Sequence, residues 1–417
     1  MTDRPRRPGR ALALVAALVA ALLPAARAHA AGDRILIGAT LPLTGAEARI
    51  GGFYREGYEF AFEQANREGG IQVGARKLPV QLKLLDDTST QATAVNLADR
   101  LINNDNVDFL LGTYASHLVQ AQSTVAEQNG MPYVQGGGAA TEIHGRRYRW
   151  LFGILAPVEL LGETLMQWAD GEQAAGKLPR PSRVALLWEN TAHGKDFRRG
   201  VLSFVGKHPG YQVVVDESFE LSGKDFGALL GKVKAAGADL FLADAHLPDY
   251  ITMQRQYVSA GMCNKVQSYG ARGSERGAVE ALGQQNVAYI LSAVWWSPQL
   301  AARQGGITRR FVDAFKARYG REPEWYQAMG YETARVLFEA IRAAGSLDRE
   351  AVRKALARTD IESILPGGRL TFPADKGQQA QNPFVVQQNR PDGSSPIVFP
   401  KGVALGEGVV PNPKCPR

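Results

Sequence analysis

The chain has 417 residues, 45% hydrophobic and 21% charged, which excludes wholesale disorder and suits two or three domains. Its 45 Gly and 22 Pro follow no period, which excludes collagen-like and low-complexity architectures and points to many turns. The net charge of +7 has a local origin. Five arginines and one acid lie in the first thirty residues, leaving 43 basic and 40 acidic side chains beyond them, so nucleic acid is not an expected partner.

Arg4 to Arg10 form a positive stretch, Ala11 to Leu23 an unbroken apolar run, and Ala28-His29-Ala30 a small-residue cleavage site. Residues 1–30 are expected to be a signal peptide, removed on export to the periplasm. The apolar run would span only about 20 Å as a helix, short of a bilayer core. In that oxidising compartment Cys263 and Cys415 either pair or stay as two unlinked thiols.

From residue 34 onward short apolar runs alternate with amphipathic stretches. Strands are expected at 35–41, 78–85, 109–111 and 131–134. Helices are expected at 53–68, stopped by Gly69-Gly70, at about 94–102 and at 119–128. The alternation restarts after the Pro/basic stretch Lys177 to Arg183, with strands at 184–188, 213–215, 240–243, 266–269 and 287–293. Helices at 195–206, 226–236 and 250–260 separate them. Helices then dominate (309–319, 326–344, 349–359) before a short β end at 369–372, 384–388 and 397–399. Strands alternating with helices mean βαβ units, so the fold class is α/β: two Rossmann-like lobes with parallel sheets.

Ligands of open parallel sheets bind beyond the carboxyl ends of the strands. Those ends are polar, small or aromatic here: Leu43-Thr44-Gly45, Gly112 to His117, Gln135 to Thr141, Glu189 to Gly194, Asp244-Ala245-His246 and Tyr269 to Arg272. Glycines let a ligand approach backbone N–H groups, and hydroxyls and Arg supply donors suited to a carboxylate. Tyr114 and His246 enter the candidate site on this ground. Four of the six histidines lie in or beside these loops, but no pair has metalloprotease spacing and neither Cys is near. No metal and no cofactor are therefore expected. Neither a nucleophile elbow nor a Walker A motif occurs, nor does a dinucleotide-binding glycine pattern open the first helix, so no catalytic residue is named and no enzymatic activity is expected. Asp86 and Asp87, adjacent in a strand, point to opposite faces and read as polar strand ends rather than a catalytic pair.

These pieces carry a resemblance. Ile35-Leu36-Ile37-Gly38-Ala39-Thr40-Leu41-Pro42-Leu43-Thr44-Gly45, Asn66-Arg67-Glu68-Gly69-Gly70-Ile71, Asp86-Asp87 and Gly223-Lys224-Asp225-Phe226, in this order, are similar to the leucine/isoleucine/valine-binding family of periplasmic solute-binding proteins. The resemblance implies a type I periplasmic binding protein, with two lobes joined by a three-crossover hinge. Lobe 1 would be 32–154 plus 295–360, and lobe 2 would be 155–294 plus 361–417. It places Ser116 where the family sets a hydroxyl on the ligand carboxylate, and Gly137 where a backbone group contacts the same carboxylate. Ala139 stands where a Thr is usual, and His193 where a Tyr is. Ile50 and Tyr326 fall where side chains wall the pocket. Arg272 falls where the family's Glu would hold an ammonium; an Arg there favours an anion. A one-residue slip would instead send Arg272 to solvent and bring Glu275 to the site.

The reading that results is a periplasmic substrate-binding protein of an ABC importer. It would act as a monomer, capture a small carboxylate-bearing solute (a branched-chain amino acid, an amide, or an aromatic or aliphatic acid) between the lobes, and deliver it to membrane permease subunits. An exported receptor module serving a membrane sensor, or a metal-dependent hydrolase using the loop histidines, are the alternatives.

Overall fold

The computed structural model describes residues 1–2 and 32–415; the leader expected at 1–30 lies, apart from its first two residues, outside them. Two separate sheets carry the chain. The first has five parallel strands in the spatial order Val80–Asp86, Ile35–Leu41, Phe109–Leu111, Tyr133–Gln135 and Leu151–Gly153. Its core strand Ile35–Leu41 is almost wholly buried, as a near-continuous apolar run in a parallel sheet requires. It pairs residue for residue with its neighbour, from Ile35 opposite Val80 to Leu41 opposite Asp86.

The second sheet runs Ile397–Phe399, Val385–Gln388, Leu291–Val294, Val266–Tyr269, Leu240–Asp244, Ser182–Glu189 and Tyr211–Phe219. Five of these strands are parallel, and the two from the chain's end close one edge antiparallel. Alternate residues of Ser182–Glu189 face different cores: Val184 and Leu186 join a cluster continuous with the first lobe, whereas Ala185 and Leu187 pack within the second, as the two-residue period of a strand dictates.

The chain crosses between the sheets three times. It leaves the first after Gly153 and reaches Ser182 through the helix Val158–Ala174, which packs on Ala192–Lys207. It leaves the second after Val294, and the helix Trp325–Ala344 then lies against Ala48–Arg67. It returns through the hairpin Asp360–Glu362/Arg369–Thr371 to Val385. Gly57 lets the helix pair approach closely: a Cβ there would lie 2.3 Å from the Gln327 carbonyl oxygen, and one on Gly330 would lie 2.7 Å from the Tyr54 carbonyl oxygen.

The strands at 35–41, 109–111, 266–269 and 397–399 lie where the sequence places them. The helix Ala48–Arg67 starts earlier than the expected 53–68 and stops before Gly69 and Gly70, whose φ values of 86° and 97° break it. Elements not expected include the hairpin Ile71–Val73/Arg76–Leu78, the strands Leu151–Gly153 and Asp360–Glu362, and the helices Thr141–Gly145, Val158–Ala174 and Arg276–Leu282. The strand expected over 287–293 is displaced to Leu291–Val294 because Gln284–Val287 forms a helical turn. Cys263 and Cys415 are joined by a disulfide across 152 positions, with Cα atoms 5.3 Å apart. Among the described residues no helix is long and apolar enough to cross a membrane.

Candidate functional site: the cleft between the lobes

In each sheet the chain reverses its direction of progress at one point, between Ile35–Leu41 and Phe109–Leu111 in the first and between Ser182–Glu189 and Leu240–Asp244 in the second. Loops leaving such strands in opposite directions open a crevice. A cavity of about 310 Å³ lies there, bordered by residues of both lobes. Seven of the nine candidate residues line it: Tyr114, Ser116, Gly137, Ala139, His193, His246 and Arg272.

Ile50 and Tyr326, expected as pocket walls, do not line the cavity. Ile50 is turned into the core by the helix that carries it. Tyr326 is fully buried behind Trp325, with ring centroids 3.7 Å apart, and donates its hydroxyl proton to Glu275. Trp325 and Trp295, 4.9 Å apart, form the aromatic wall instead, with Leu155. At a helix start one residue is a turn of about 100°, enough to exchange which aromatic faces the cavity.

Ser116 opens the helix Ser116–Gln128, and its hydroxyl accepts the Ala139 N–H at 3.2 Å, tying two strand-end loops together. The Gly137 N–H, expected on a ligand carboxylate, is engaged by Gln135 Oε1 at 3.0 Å. No side chain fits at Gly137, because a Cβ would lie 2.0 Å from the Thr113 carbonyl oxygen. Asp86 and Asp87 are the floor beneath these loops. Asp87 accepts from Thr40 and Thr113 at 2.8 and 2.5 Å, and Asp86 accepts from Leu43 N–H and the Thr44 hydroxyl at 2.9 and 2.7 Å.

Arg272 is 4% exposed and borders the cavity rather than solvent. Its Nη2 donates to the Tyr114 hydroxyl at 3.0 Å and its Nε lies 3.3 Å from Glu275 Oε1, while Nη1 is buried without a hydrogen-bond partner among the described residues. Burial works against the guanidinium charge, but Tyr114, Tyr326 and Glu275 more than offset it and hold the pKa above the ordinary value. Burial pushes Glu275 up to about 7, against the pull of Arg272 and the Tyr326 hydrogen bond.

The second lobe supplies a cluster of carboxylates and imidazoles. His193 Nδ1 lies 2.7 Å from Asp244 Oδ2 and 3.9 Å from Glu189 Oε1. His246 Nε2 lies 3.5 Å from Glu189 Oε1, and its Nδ1 reaches across the cleft to Glu47 Oε1 at 2.9 Å. Burial lowers the His246 pKa, but Glu189 and Glu47 outweigh it and raise the imidazole to about 9. Asp244 is pushed up by burial and brought below its ordinary value by His193, Arg272 and His246. Glu189, His193 and Asp244 offer ligand atoms within 4.8 Å of one another, which could hold a metal ion. The Arg272 charge acting on Asp244 opposes a second cation there.

Glu47, Glu189 and Trp325 belong to the site's polar and aromatic framework and were not among the candidate residues; Glu275, offered only as the alternative to Arg272, is buried beside it. Glu189 was visible as a polar strand end, and Trp325 as the neighbour of Tyr326. Glu47, in the turn after the first strand, carries no sequence signal.

A family model described as periplasmic binding protein matches residues 34–394. The Leu/Ile/Val-binding protein homolog 7 of Brucella suis biovar 1 (strain 1330) is 27% identical over 400 residues, covering 94% of this chain and 98% of that protein. Among solved structures, the branched-chain amino acid transporter substrate-binding protein LivJ of Streptococcus pneumoniae, in complex with isoleucine, superposes with a TM-score of 0.75 at 19% identity. That match covers 88% of this chain and 100% of LivJ. An ABC transporter solute-binding protein of R. palustris, in complex with benzoate, superposes with a TM-score of 0.72 at 20% identity, covering 90% of this chain and 97% of that one. The two hinged α/β lobes are those of a type I periplasmic binding protein. The chain belongs to the periplasmic binding protein family.

Proposed function

We propose that the protein captures a small carboxylate-bearing solute between its lobes, as the substrate-binding component of an ABC importer, and hands it to permease subunits in the membrane. The observation that carries this reading is Arg272, a charged guanidinium buried at the cavity with Nη1 left without a partner among the described residues. A buried donor of that kind is costly unless something accepts from it, and a carboxylate is its natural acceptor. The cavity, about 310 Å³, is at the small end of small-molecule sites, and its Trp295, Trp325 and Leu155 walls suit an apolar body. LivJ carries isoleucine and the R. palustris protein carries benzoate; the two ligands share a carboxylate on an apolar frame. No chemistry is required of the site, so the protein acts as a binder rather than an enzyme. The division into lobes at 32–154 plus 295–360 and 155–294 plus 361–417 is part of this reading, as is the monomeric state.

A thermal-shift screen of the mature chain tests it. Amino acids, amides, and aromatic and aliphatic carboxylates each raise the midpoint only if they bind the native state. A rise with carboxylates supports the reading. A rise confined to uncharged amides overturns it. The mass of the protein recovered from a periplasmic extract tests export and cleavage of the leader after Ala30.

A further inference from the structure

The buried polar side-chain atoms that lack a hydrogen-bond partner include three on residues that line the cavity: Arg272 Nη1, Trp325 Nε1 and Glu189 Oε2. Two are donors and one is an acceptor. The two donors belong together, since the Arg272 guanidinium carbon lies 5.9 Å from the centre of the Trp325 ring. The carboxylate of the solute accounts for that pair, because its two oxygens accept from two donors. It leaves Glu189 unexplained.

Glu189 ends the strand Ser182–Glu189 and is 1% exposed. Its Oε1 is used, accepting from the Thr191 hydroxyl at 2.7 Å with His246 Nε2 at 3.5 Å. The other carboxylates of the cluster have partners within the protein: Asp244 has His193, Glu47 has His246, and Glu275 has Tyr326 and Arg272. Of the carboxylates lining the cavity, Glu189 alone has an oxygen that is buried without a hydrogen-bond partner among the described residues. An ionised carboxylate accepts and never donates, so what satisfies Oε2 must bring a proton. A plain hydrocarbon acid offers none.

We infer that Glu189 reads a hydrogen-bond donor on the solute, so that the preferred ligand is a carboxylic acid that also carries a hydroxyl or amino group. The inference rests on the carboxylate reading above and narrows it. Arg272 and Trp325 hold one pole, Glu189 the other, and the aromatic walls the body between them.

Two ligand series decide it, by calorimetric titration after EDTA treatment. One is benzoate with its three monohydroxy and three monoamino derivatives; the other is 4-methylpentanoate with its 2-hydroxy analogue and leucine. The expected result is that at least one donor-bearing member binds tenfold or more tighter than its parent. Glu189→Gln and Glu189→Leu then reduce that preference to threefold or less. Whether the hydroxy or the amino member leads identifies the donor. Parents that bind as tightly as every derivative overturn the inference and leave the carboxylate reading standing, as does a preference that survives in both variants. A preference seen only before EDTA treatment assigns the effect to an ion on Glu189, His193 and Asp244 and likewise overturns it. If no acid of either series binds, the carboxylate reading itself falls, and this inference with it. Should either variant fail to fold, the wild-type series still decides.

Discussion

Arg272 and Tyr114, 158 positions apart in the chain, meet across the cleft through a 3.0 Å hydrogen bond from guanidinium to phenol. One comes from the end of a second-sheet strand and the other from the end of a first-sheet strand, so the bond exists only when the lobes are together. Arg272→Gln is expected to weaken carboxylate binding by at least thirtyfold, about 2 kcal/mol. Arg272→Lys should rescue little, because an ammonium cannot serve Tyr114, Glu275 and a ligand in the same fork geometry. Calorimetric titration of each variant checks this; a lysine variant with wild-type affinity would refute it.

Ser116 and Tyr326 should separate binding from stability. Ser116→Ala removes a hydroxyl at the cavity and is expected to weaken binding severalfold, about 1 kcal/mol, with little change in melting temperature. Tyr326→Ala empties a fully buried ring site and is expected to destabilise by about 3–5 kcal/mol. Tyr326→Phe keeps the ring and removes only the bond to Glu275, so its affinity should stay within a few fold of wild type. Paired melting and titration curves read both.

Much of this was legible beforehand, and the reasons are local. A run such as Ile35–Leu41, apolar but for Thr40 and ended by proline, has few alternatives to a buried parallel strand. The stretch from Trp150 to Ala175 was opaque because it mixes glycine, leucine and Pro157 without a clean period; its strand and helix are fixed by the sheet edge and by packing on Ala192–Lys207. In the site, the loops were readable from glycines, hydroxyls and histidines at strand ends. Which of two adjacent aromatics lines the cavity depends on helix rotation, and Glu47 matters only because His246 arrives from 199 positions away.

The bond between His246 and Glu47 joins the lobes and has a definite pH range. The imidazole is raised from 6.5 to about 9, so its contribution is complete below pH 6.5 and disappears as pH rises through 9. Glu47 is pushed up by burial but lowered on balance by His246, so its share is lost as pH falls below the ordinary carboxylate range. Wild type should therefore exceed His246→Gln by about 1–3 kcal/mol near pH 6, with the gap closing by pH 10. Melting temperatures of both proteins across that range measure it, and a constant gap would mean the imidazole is not ionised.

The disulfide should matter for stability and not for ligand. It closes a loop of 152 positions next to the start of the strand Val266–Tyr269, the end opposite the cavity. The double variant Cys263→Ser, Cys415→Ser is expected to lose about 2–5 kcal/mol, with affinity within twofold of wild type. Denaturant melts and titration of the same preparation test both halves.

The close contact of Gly57 with the helix that begins at Trp325 has a consequence for how selectivity can drift. That contact leaves no room for even one methyl group, so a substitution at Gly57 must shift the neighbouring helix along or away from its partner. The piece displaced carries Trp325, one of the two aromatic walls of the cavity, at its tip. A single carbon added between these two packed helices would thus act as a wedge, changing which solutes fit while every residue that touches them stays the same.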